Sequence, residues 1–265
     1  MSGGGTASSV SVGEAEVRGL KLKVQRAGQG ETLLFLHGAG GSNWSPMLDA
    51  LARDFQVIAP EHPGFGRSQI PEWMMGMGDL ALFYLDFIEA LGLDGVHLAG
   101  HSLGGWLTGE IAIRNTSRLK SVTLMAPAGI AVPEAPFGDI FLWSPEQAAR
   151  AQFHDQALAE KRLAVTPDLD IVLQNKAAVA RLAWSPRLAN PQLPYWIHRI
   201  DKPATLVWGR QDKVIPFACH EPWLKGVAGA NLFAIDECGH AIHNEKPAQA
   251  AAHIAAFCTA ASKGA

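Results

Sequence analysis

Ser102 is the residue of this sequence whose surroundings most strongly indicate chemistry. It lies within Gly100–Gly105, whose letters are GHSLGG, directly after the apolar run 96–99, which predicts a buried strand. Small residues two positions before and two positions after a serine leave room for a sharp turn from strand into helix. That turn exposes the hydroxyl at the carboxyl end of the strand. Ser102 is therefore predicted to be a nucleophile that attacks a carbonyl carbon.

A serine hydroxyl is a weak nucleophile at neutral pH, so it needs a general base and a group that orients the base. Asp212 follows the predicted strand 204–208, and His240 follows the predicted strand 231–235. Open parallel sheets hold their active sites at the carboxyl ends of their strands, where these three residues would meet. We predict His240 as the general base and Asp212 as the acid that orients it.

Two neighbouring residues offer alternatives to this assignment, and a nearby cysteine does not. Asp236 is a second candidate for the acid, and His243 is a second candidate for the base. Cys238 lies two residues before His240, but it has no base of its own and is expected to be a packed small residue.

The oxyanion of a tetrahedral intermediate needs hydrogen-bond donors that are already in place. One predicted donor is the backbone N–H of Leu103, at the start of the helix that follows Ser102, where the helix dipole also favours negative charge. The second is expected in the loop 37–42, after the first predicted strand. We predict the N–H of Ala39, with Gly40 as the alternative.

The elements that must position these residues alternate between strand and helix, which predicts a mostly parallel sheet flanked by helices, an α/β fold. The predicted strands are 32–36, 56–59, 96–99, 120–125, 204–208 and 231–235. The predicted helices of this core are 44–53, 79–91, 103–114 and 246–260.

The segment 131–199 contains no convincing strand pattern. Helices are predicted over 145–153, 154–163 and 170–182, with prolines between and after them. We interpret 131–199 as a helical cap inserted into a core formed by 14–130 and 200–265. Residues 1–13, which begin with a run of Gly and Ser, are predicted to be a flexible tail.

Four motifs resemble those of the α/β-hydrolase fold superfamily, in its serine carboxylesterase and C–C hydrolase branch. They are HGAG at 37–40, EHPGFGRS at 61–68, GHSLGG at 100–105 and GH at 239–240 before a C-terminal helix. The second motif is similar to the family's D-x-x-G-x-G-x-S loop, with Glu61 in place of Asp. The resemblance implies the triad of Ser102, Asp212 and His240. Some members place the acid one strand earlier, but no carboxylate stands there, at 126–128.

Composition excludes several other classes. The net charge of −3 and the scattered Lys and Arg residues argue against a nucleic-acid partner. The three cysteines lack metal-ligand spacing, and their odd number leaves at least one thiol free, which favours a reducing compartment over a disulfide framework. No secretory signal or membrane span is recognised, so a cytoplasmic protein without a membrane partner is expected. The glycine-rich loop 38–41 lacks the Gly-Lys-Ser/Thr of a phosphate loop. No cofactor or metal is predicted, and a homodimer is left open.

The predicted activity is hydrolysis of a carboxylic ester of a small to medium uncharged substrate, through an acyl-enzyme intermediate. The residues predicted to line the substrate pocket are Gly40, Phe141, Trp143 and Trp184. The alternative is a serine-dependent hydrolase of carbon–carbon bonds in aromatic degradation, which cleaves a vinylogous diketone. The segment 175–184 resembles a polar region of those enzymes, but His101 stands where that group often has Asn.

Other uses of the same scaffold remain open from sequence. Lactone hydrolysis and cofactor-free dioxygenation are two of them. A third is a receptor that binds a small molecule without turnover. The complete triad argues against this alternative, because a receptor does not need one.

Overall fold

The computed structural model describes residues 9–264. Its strands are β1 (Ser11–Val17), β2 (Leu20–Ala27), β3 (Glu31–Leu36), β4 (Phe55–Pro60), β5 (Val96–His101), β6 (Leu119–Met125), β7 (Ala204–Gly209) and β8 (Asn231–Ile235). They form one sheet in the order β1-β2-β4-β3-β5-β6-β7-β8. β1, β2 and β4 pair antiparallel, and every other pair is parallel.

The helices begin and end as follows: α1 (Pro46–Leu51), α2 (Met77–Ala90), α3 (Leu103–Ala112), α4 (Pro145–Gln152), α5 (Gln156–Leu163), α6 (Leu169–Ala183), α7 (Leu193–Trp196), α8 (His220–Gly226), α9 (Ile242–Glu245) and α10 (Pro247–Lys263). Single 3-10 turns lie at Ile197–Arg199 and Phe217–Cys219. Among the core helices, α1 packs on α10, and α2 packs on α3.

Both faces of the central strands are covered. Every residue of β5 and of β7 is buried, which a strand achieves only when helices lie on both sides of its sheet. The mostly parallel, helix-flanked sheet predicted from the alternation is therefore confirmed. Because β3, β5, β7 and β8 run parallel, the loops that follow them lie at one edge of the sheet.

The N-terminal part of the chain differs from the expectation. A flexible tail was predicted over 1–13, and residues 1–8 lie outside the described residues. β1, however, begins at Ser11 and pairs with β2 from Ser11↔Arg26 to Val17↔Leu20. The first four residues of β1 are all exposed, so this strand shows little of the alternation between buried apolar and exposed polar residues on which a strand prediction depends.

The segment 131–199 contains helices and no strand longer than an isolated bridge. α4, α5 and α6 lie within two residues of the helices predicted at 145–153, 154–163 and 170–182. Each has an N-cap side chain that accepts a backbone N–H: Ser144 for α4, Asp155 for α5 and Asp168 for α6. Capping fixes these helix starts locally, which is why their positions follow from sequence.

Candidate active site

Ser102 makes the turn between β5 and α3 by itself. β5 ends one residue before it and α3 begins one residue after it. Its backbone angles, φ 58° and ψ −114°, lie in a region that L-residues seldom occupy. A Cβ on Gly100 would lie 2.2 Å from the carbonyl oxygen of Gly104, and a Cβ on Gly104 would lie 2.1 Å from that of Leu36. Only glycine fits both positions, which confirms the predicted strand-to-helix turn.

The predicted acid and base are hydrogen-bonded to each other. His240 Nδ1 donates to Asp212 Oδ2 at 2.7 Å. The other carboxylate oxygen of Asp212 accepts the backbone N–H groups of Val214 and Ile215, at 2.8 and 2.9 Å. Both side chains are buried. These bonds hold Nδ1 of His240 as the protonated nitrogen, so that Nε2 is left to accept a proton.

Ser102 and His240 line the same cavity. No hydrogen bond joins Ser102 Oγ to His240 within residues 9–264. In enzymes without substrate, such a catalytic hydrogen bond is commonly long and shortens when substrate binds. Both side chains therefore border the space in which a bound substrate would react.

Asp236, His243 and Cys238, the other residues considered near His240, do not form a buried acid–base pair. Asp236 is largely exposed and forms an ion pair with Arg210. His243 is not bonded to a carboxylate, and burial lowers its pKa to about 4. Burial raises the pKa of the Cys238 thiol to about 12, so that it is uncharged at neutral pH. This geometry favours Asp212 and His240 over their alternatives.

His101 connects the serine turn with the loop that carries His240. Its Nε2 donates to the backbone oxygen of His240 at 2.8 Å, and the two rings lie 4.6 Å apart. Burial, together with His240 and His243 nearby, holds the pKa of His101 well below its ordinary value. His101 is therefore a neutral hydrogen-bond donor that fixes the two loops relative to each other.

The structure places both predicted oxyanion donors at this cavity. Ala39 and Leu103 line it beside Ser102, as does Gly40. Leu103 is the first residue of α3, where backbone N–H groups lack intrahelical partners and the helix dipole is positive. The arrangement is suited to stabilise negative charge on an oxygen bonded to a carbon that Ser102 attacks.

The cavity measures about 220 Å³. Apolar side chains form part of its wall: Phe35, Trp44, Ile140, Phe153, Leu188, Val214 and Ile215. Polar side chains are added by Asn43, Ser45, Gln152, Arg162, His243 and Asn244.

The prediction that Phe141, Trp143 and Trp184 line the pocket is corrected by the structure, because none of the three borders this cavity. Phe141 packs edge-on against Trp184, with ring centroids 5.0 Å apart. Arg187 lies 4.5 Å above the Trp184 ring and forms an ion pair with Asp139. These contacts hold Phe141 and Trp184 together outside the cavity.

Sequence reasoning missed several side chains of the cavity. Ile140 enters it from the loop before α4, Gln152 and Phe153 from the end of α4, and Arg162 from the last turn of α5. Arg162 stands in a polar helix with no motif around it. Asn244 could have been found, because it lies only four residues after His240, in the short helix α9 that follows it.

Asn175 joins the helical segment to two loops of the core. From α6, its Oδ1 accepts the N–H of Gly66 at 2.8 Å, and its Nδ2 donates to the carbonyl of Gly40 at 3.2 Å. Within the segment 175–184 that was singled out in the sequence, Asn175 thus contacts the backbone of the oxyanion loop.

Two further properties concern the described residues as a set. Across 9–264, no group of three or more His, Cys, Asp or Glu side chains is arranged to hold a metal ion. No helix in the same range has both the length and the apolar character needed to cross a lipid bilayer.

Comparison with known proteins identifies relatives over most of the chain. The chain is 31% identical over 260 residues to the dihydrolipoyllysine-residue acetyltransferase component of the acetoin cleaving system of Cupriavidus necator, which covers 88% of this chain. The chain spans only 65% of that protein's length. It is 26% identical to the 2-hydroxymuconate semialdehyde hydrolase of Pseudomonas sp. strain CF600, over 90% of each chain.

Solved structures share the fold. A serine hydrolase involved in carbazole degradation superposes with a TM-score of 0.80 at 24% identity, covering 95% of this chain and 99% of that one. A meta-cleavage product hydrolase from Pseudomonas fluorescens superposes with a TM-score of 0.77 at 21% identity, covering 94% and 98%. The model of the alpha/beta hydrolase family matches residues 33–253. The chain therefore belongs to the α/β-hydrolase family, as its motifs predict.

Proposed function

We propose that this protein hydrolyses a carbon–carbon bond of a small vinylogous diketone that carries a carboxylate, with Ser102 as the nucleophile. The observation that carries this proposal is the cavity itself, which holds Ser102, His240 and one cationic side chain, Arg162. The relative that is named 2-hydroxymuconate semialdehyde hydrolase acts, by its name, on an unsaturated carboxylate.

Arg162 supports a charged substrate in place of the uncharged one expected from sequence. Arg162 is exposed at the end of α5, and it borders the cavity. Within residues 9–264 it forms no ion pair, in contrast to Arg150 of α4, which pairs with Glu146 and Glu160. A guanidinium offers paired N–H donors that match the two oxygens of a carboxylate.

The proposed reaction begins with addition of Ser102 Oγ to the substrate ketone, as His240 Nε2 takes the hydroxyl proton. The new oxyanion accepts the N–H groups of Ala39 and Leu103. Collapse of this intermediate breaks the carbon–carbon bond in the diketone form of the substrate. The electron pair of that bond passes through the alkene to the second carbonyl oxygen, and the resulting dienolate leaves as a dienol by taking the proton from His240. Water, deprotonated by His240, then releases the acyl group from Ser102, so that one water is consumed for each bond cleaved.

The proposal is tested with 2-hydroxy-6-oxohepta-2,4-dienoate, whose loss of diene absorbance reports bond cleavage. Wild-type protein is expected to turn it over, and Ser102→Ala is expected to lose activity by at least about 10³-fold while its Tm is kept. Unchanged turnover by the serine variant would contradict the mechanism.

The role of Arg162 is tested by Arg162→Ala, which is expected to raise KM for the dienoate by about 10- to 100-fold, because a charged hydrogen bond contributes about 1.5–3 kcal/mol. The matched control is Lys161→Ala, since Lys161 is the adjacent exposed cation of α5 and does not border the cavity. An equal rise in both variants would contradict recognition of a carboxylate by Arg162.

A second candidate is hydrolysis of a carboxylic ester through the same acyl-Ser102. His101 favours it, because the C–C hydrolases to which the sequence is similar often have Asn before the nucleophile. Side-by-side assays of p-nitrophenyl butyrate and the dienoate separate the two. A kcat/KM for the ester far above that for the dienoate would replace the first candidate by the second.

A further inference from the structure

Behind the oxyanion loop lies a buried cluster of His37, His62 and Tyr84 that the proposed reaction does not use. All three side chains are at most 5% exposed. The two imidazoles stack with centroids 3.7 Å apart, and the ring of Tyr84 on α2 meets His62 edge-on at 5.3 Å. Burial lowers the pKa of His37 to about 4 and that of His62 well below its ordinary value, so both rings are neutral at pH 7.

The geometry of this cluster determines which atom of each hydrogen bond is the donor. His62 Nε2 lies 3.0 Å from the carbonyl oxygen of His37 and must therefore carry the hydrogen. Nδ1 of the neutral ring is then an acceptor, and the Tyr84 hydroxyl, 2.6 Å away, donates to it. One buried phenol thus determines which nitrogen of His62 is protonated.

The same logic extends to His37. Its Nε2 accepts the backbone N–H of His62 at 3.0 Å, so its Nδ1 carries the hydrogen and donates to the carbonyl oxygen of Gly38 at 2.7 Å. That oxygen also accepts the N–H of Gly41 at 3.2 Å. The carbonyl of the Gly38–Ala39 peptide is thus held by two donors.

A trans peptide is planar, and its C=O and N–H point in opposite directions. Because the Gly38 carbonyl is fixed, the N–H of Ala39 is fixed on the other side of the same plane. Ala39 borders the cavity beside Ser102. Two sets of hydrogen bonds therefore hold this loop: Tyr84 and the His62 ring fix the carbonyl of the His37–Gly38 peptide, and the His62 backbone N–H and the His37 ring fix the carbonyl of the next peptide, which carries the Ala39 N–H.

We propose that Tyr84 is a positioning residue for the oxyanion hole: through the His62 ring it holds the His37–Gly38 peptide, which directly precedes the peptide that carries the Ala39 N–H. The inference rests on the serine mechanism proposed above. Tyr84 touches no reacting atom, and its hydroxyl acts by selecting the tautomer of His62. Without that hydroxyl, Nδ1 of His62 loses its donor, the ring can turn or change tautomer, and the His37 carbonyl loses its partner.

The test compares Tyr84→Phe with Ser121→Ala. Ser121 is a matched control because its buried hydroxyl also bonds a buried imidazole, that of His97, at 2.8 Å. His97 lies five residues before Ser102, about 16 Å away along β5 at about 3.3 Å per residue. Both substitutions remove one buried hydroxyl bonded to a histidine, but only Tyr84→Phe acts on the oxyanion loop.

The expected result for Tyr84→Phe is a fall in kcat of about 10-fold with KM within about twofold, since complete removal of an oxyanion donor costs about 10²–10³. The Ki of an alkyl trifluoromethyl ketone, whose adduct with serine carries an oxyanion, is expected to rise by the same factor. Ser121→Ala is expected to keep both values. If Tyr84→Phe proves unstable, the 15N spectra of labelled histidines in the wild-type protein must still show His62 protonated at Nε2.

Wild-type kcat in Tyr84→Phe, an equal loss in Ser121→Ala, or protonation of His62 at Nδ1 would each overturn the inference. The serine mechanism is judged separately by Ser102→Ala. If that variant is inactive while Tyr84→Phe is fully active, the positioning role fails and the mechanism stands. If Ser102→Ala keeps activity, the mechanism itself fails.

Discussion

Replacing Gly104 by alanine tests whether close backbone packing builds this active site. The added Cβ would lie 2.1 Å from the carbonyl oxygen of Leu36 and 2.5 Å from that of His37. Real Cβ atoms do not approach other atoms within 3.0 Å, so the start of α3 and the end of β3 must separate by at least about 0.9 Å. The obstructing atoms belong to backbone and cannot rotate away.

That separation affects both stability and activity. Overpacking of this kind costs about 1–3 kcal/mol, which for a chain of this size lowers the Tm by roughly 2–12 °C. The end of β3 leads into Ala39, and the start of α3 carries Leu103, so the two oxyanion donors move apart. A misplacement of about 1 Å can cost about 10²-fold in rate. We expect kcat of Gly104→Ala to fall about 10²-fold in a protein that is still folded.

The assay is turnover of the dienoate or of p-nitrophenyl butyrate, with the Tm measured by circular dichroism. Gly13→Ala is the control, because the nearest atom to its added Cβ is the end of the Arg26 side chain at 3.7 Å. This control is expected to leave kcat unchanged and the stability equal or about 0.4–1 kcal/mol higher. Wild-type kcat and Tm in Gly104→Ala would refute the reasoning.

Three further predictions follow from the geometry of the site. Asp212→Asn is expected to lower kcat by about 10³–10⁴-fold with little change in KM, because an amide no longer holds the proton on His240 Nδ1; steady-state kinetics checks this, and a loss under tenfold would contradict it. Asn175→Ala removes the partners of Gly66 N–H and Gly40 C=O, and is expected to lower the free energy of unfolding by about 1–3 kcal/mol in urea titrations; an unchanged midpoint would count against it. The unfolded chain binds protons to histidine below about pH 6.5, whereas folded His37 and His243 do so only near pH 4. The free energy of unfolding is therefore expected to fall as pH is lowered from 6.5 to 4, and equal urea midpoints at pH 7 and 4.5 would argue otherwise.

The sequence predicted the residues whose roles depend on local geometry. The turn at Ser102 needs small residues at fixed offsets, and Gly100 and Gly104 are visible as such in the chain. Asp212 and His240 were recognised because each follows a strand in an alternating pattern, and parallel strands end at one edge. The helix starts at Ser144, Asp155 and Asp168 are likewise local, since a cap bonds N–H groups two or three residues ahead.

The substrate cavity could not be predicted in this way. Phe141, Trp143 and Trp184 are of the residue types that form pocket walls, yet none of them borders the cavity that holds Ser102. Phe141 and Trp184 instead pack on each other and under Arg187. Arg162 reaches the cavity only because α5 packs where it does. Aromatic and cationic side chains suit a core, a surface or a pocket equally, so their type alone does not place them.

The sequence by itself determined the chemistry available to this protein, because a nucleophile, its base and the turn that exposes it are encoded over a few residues each. Only the tertiary structure decided which side chains surround the reacting atoms and how the oxyanion loop is held. The hydrogen bonds from Tyr84 through His62 to His37 join residues up to 47 positions apart in the chain. Contacts of that kind depend on the packing of α2 behind the sheet, which no short pattern of residues specifies.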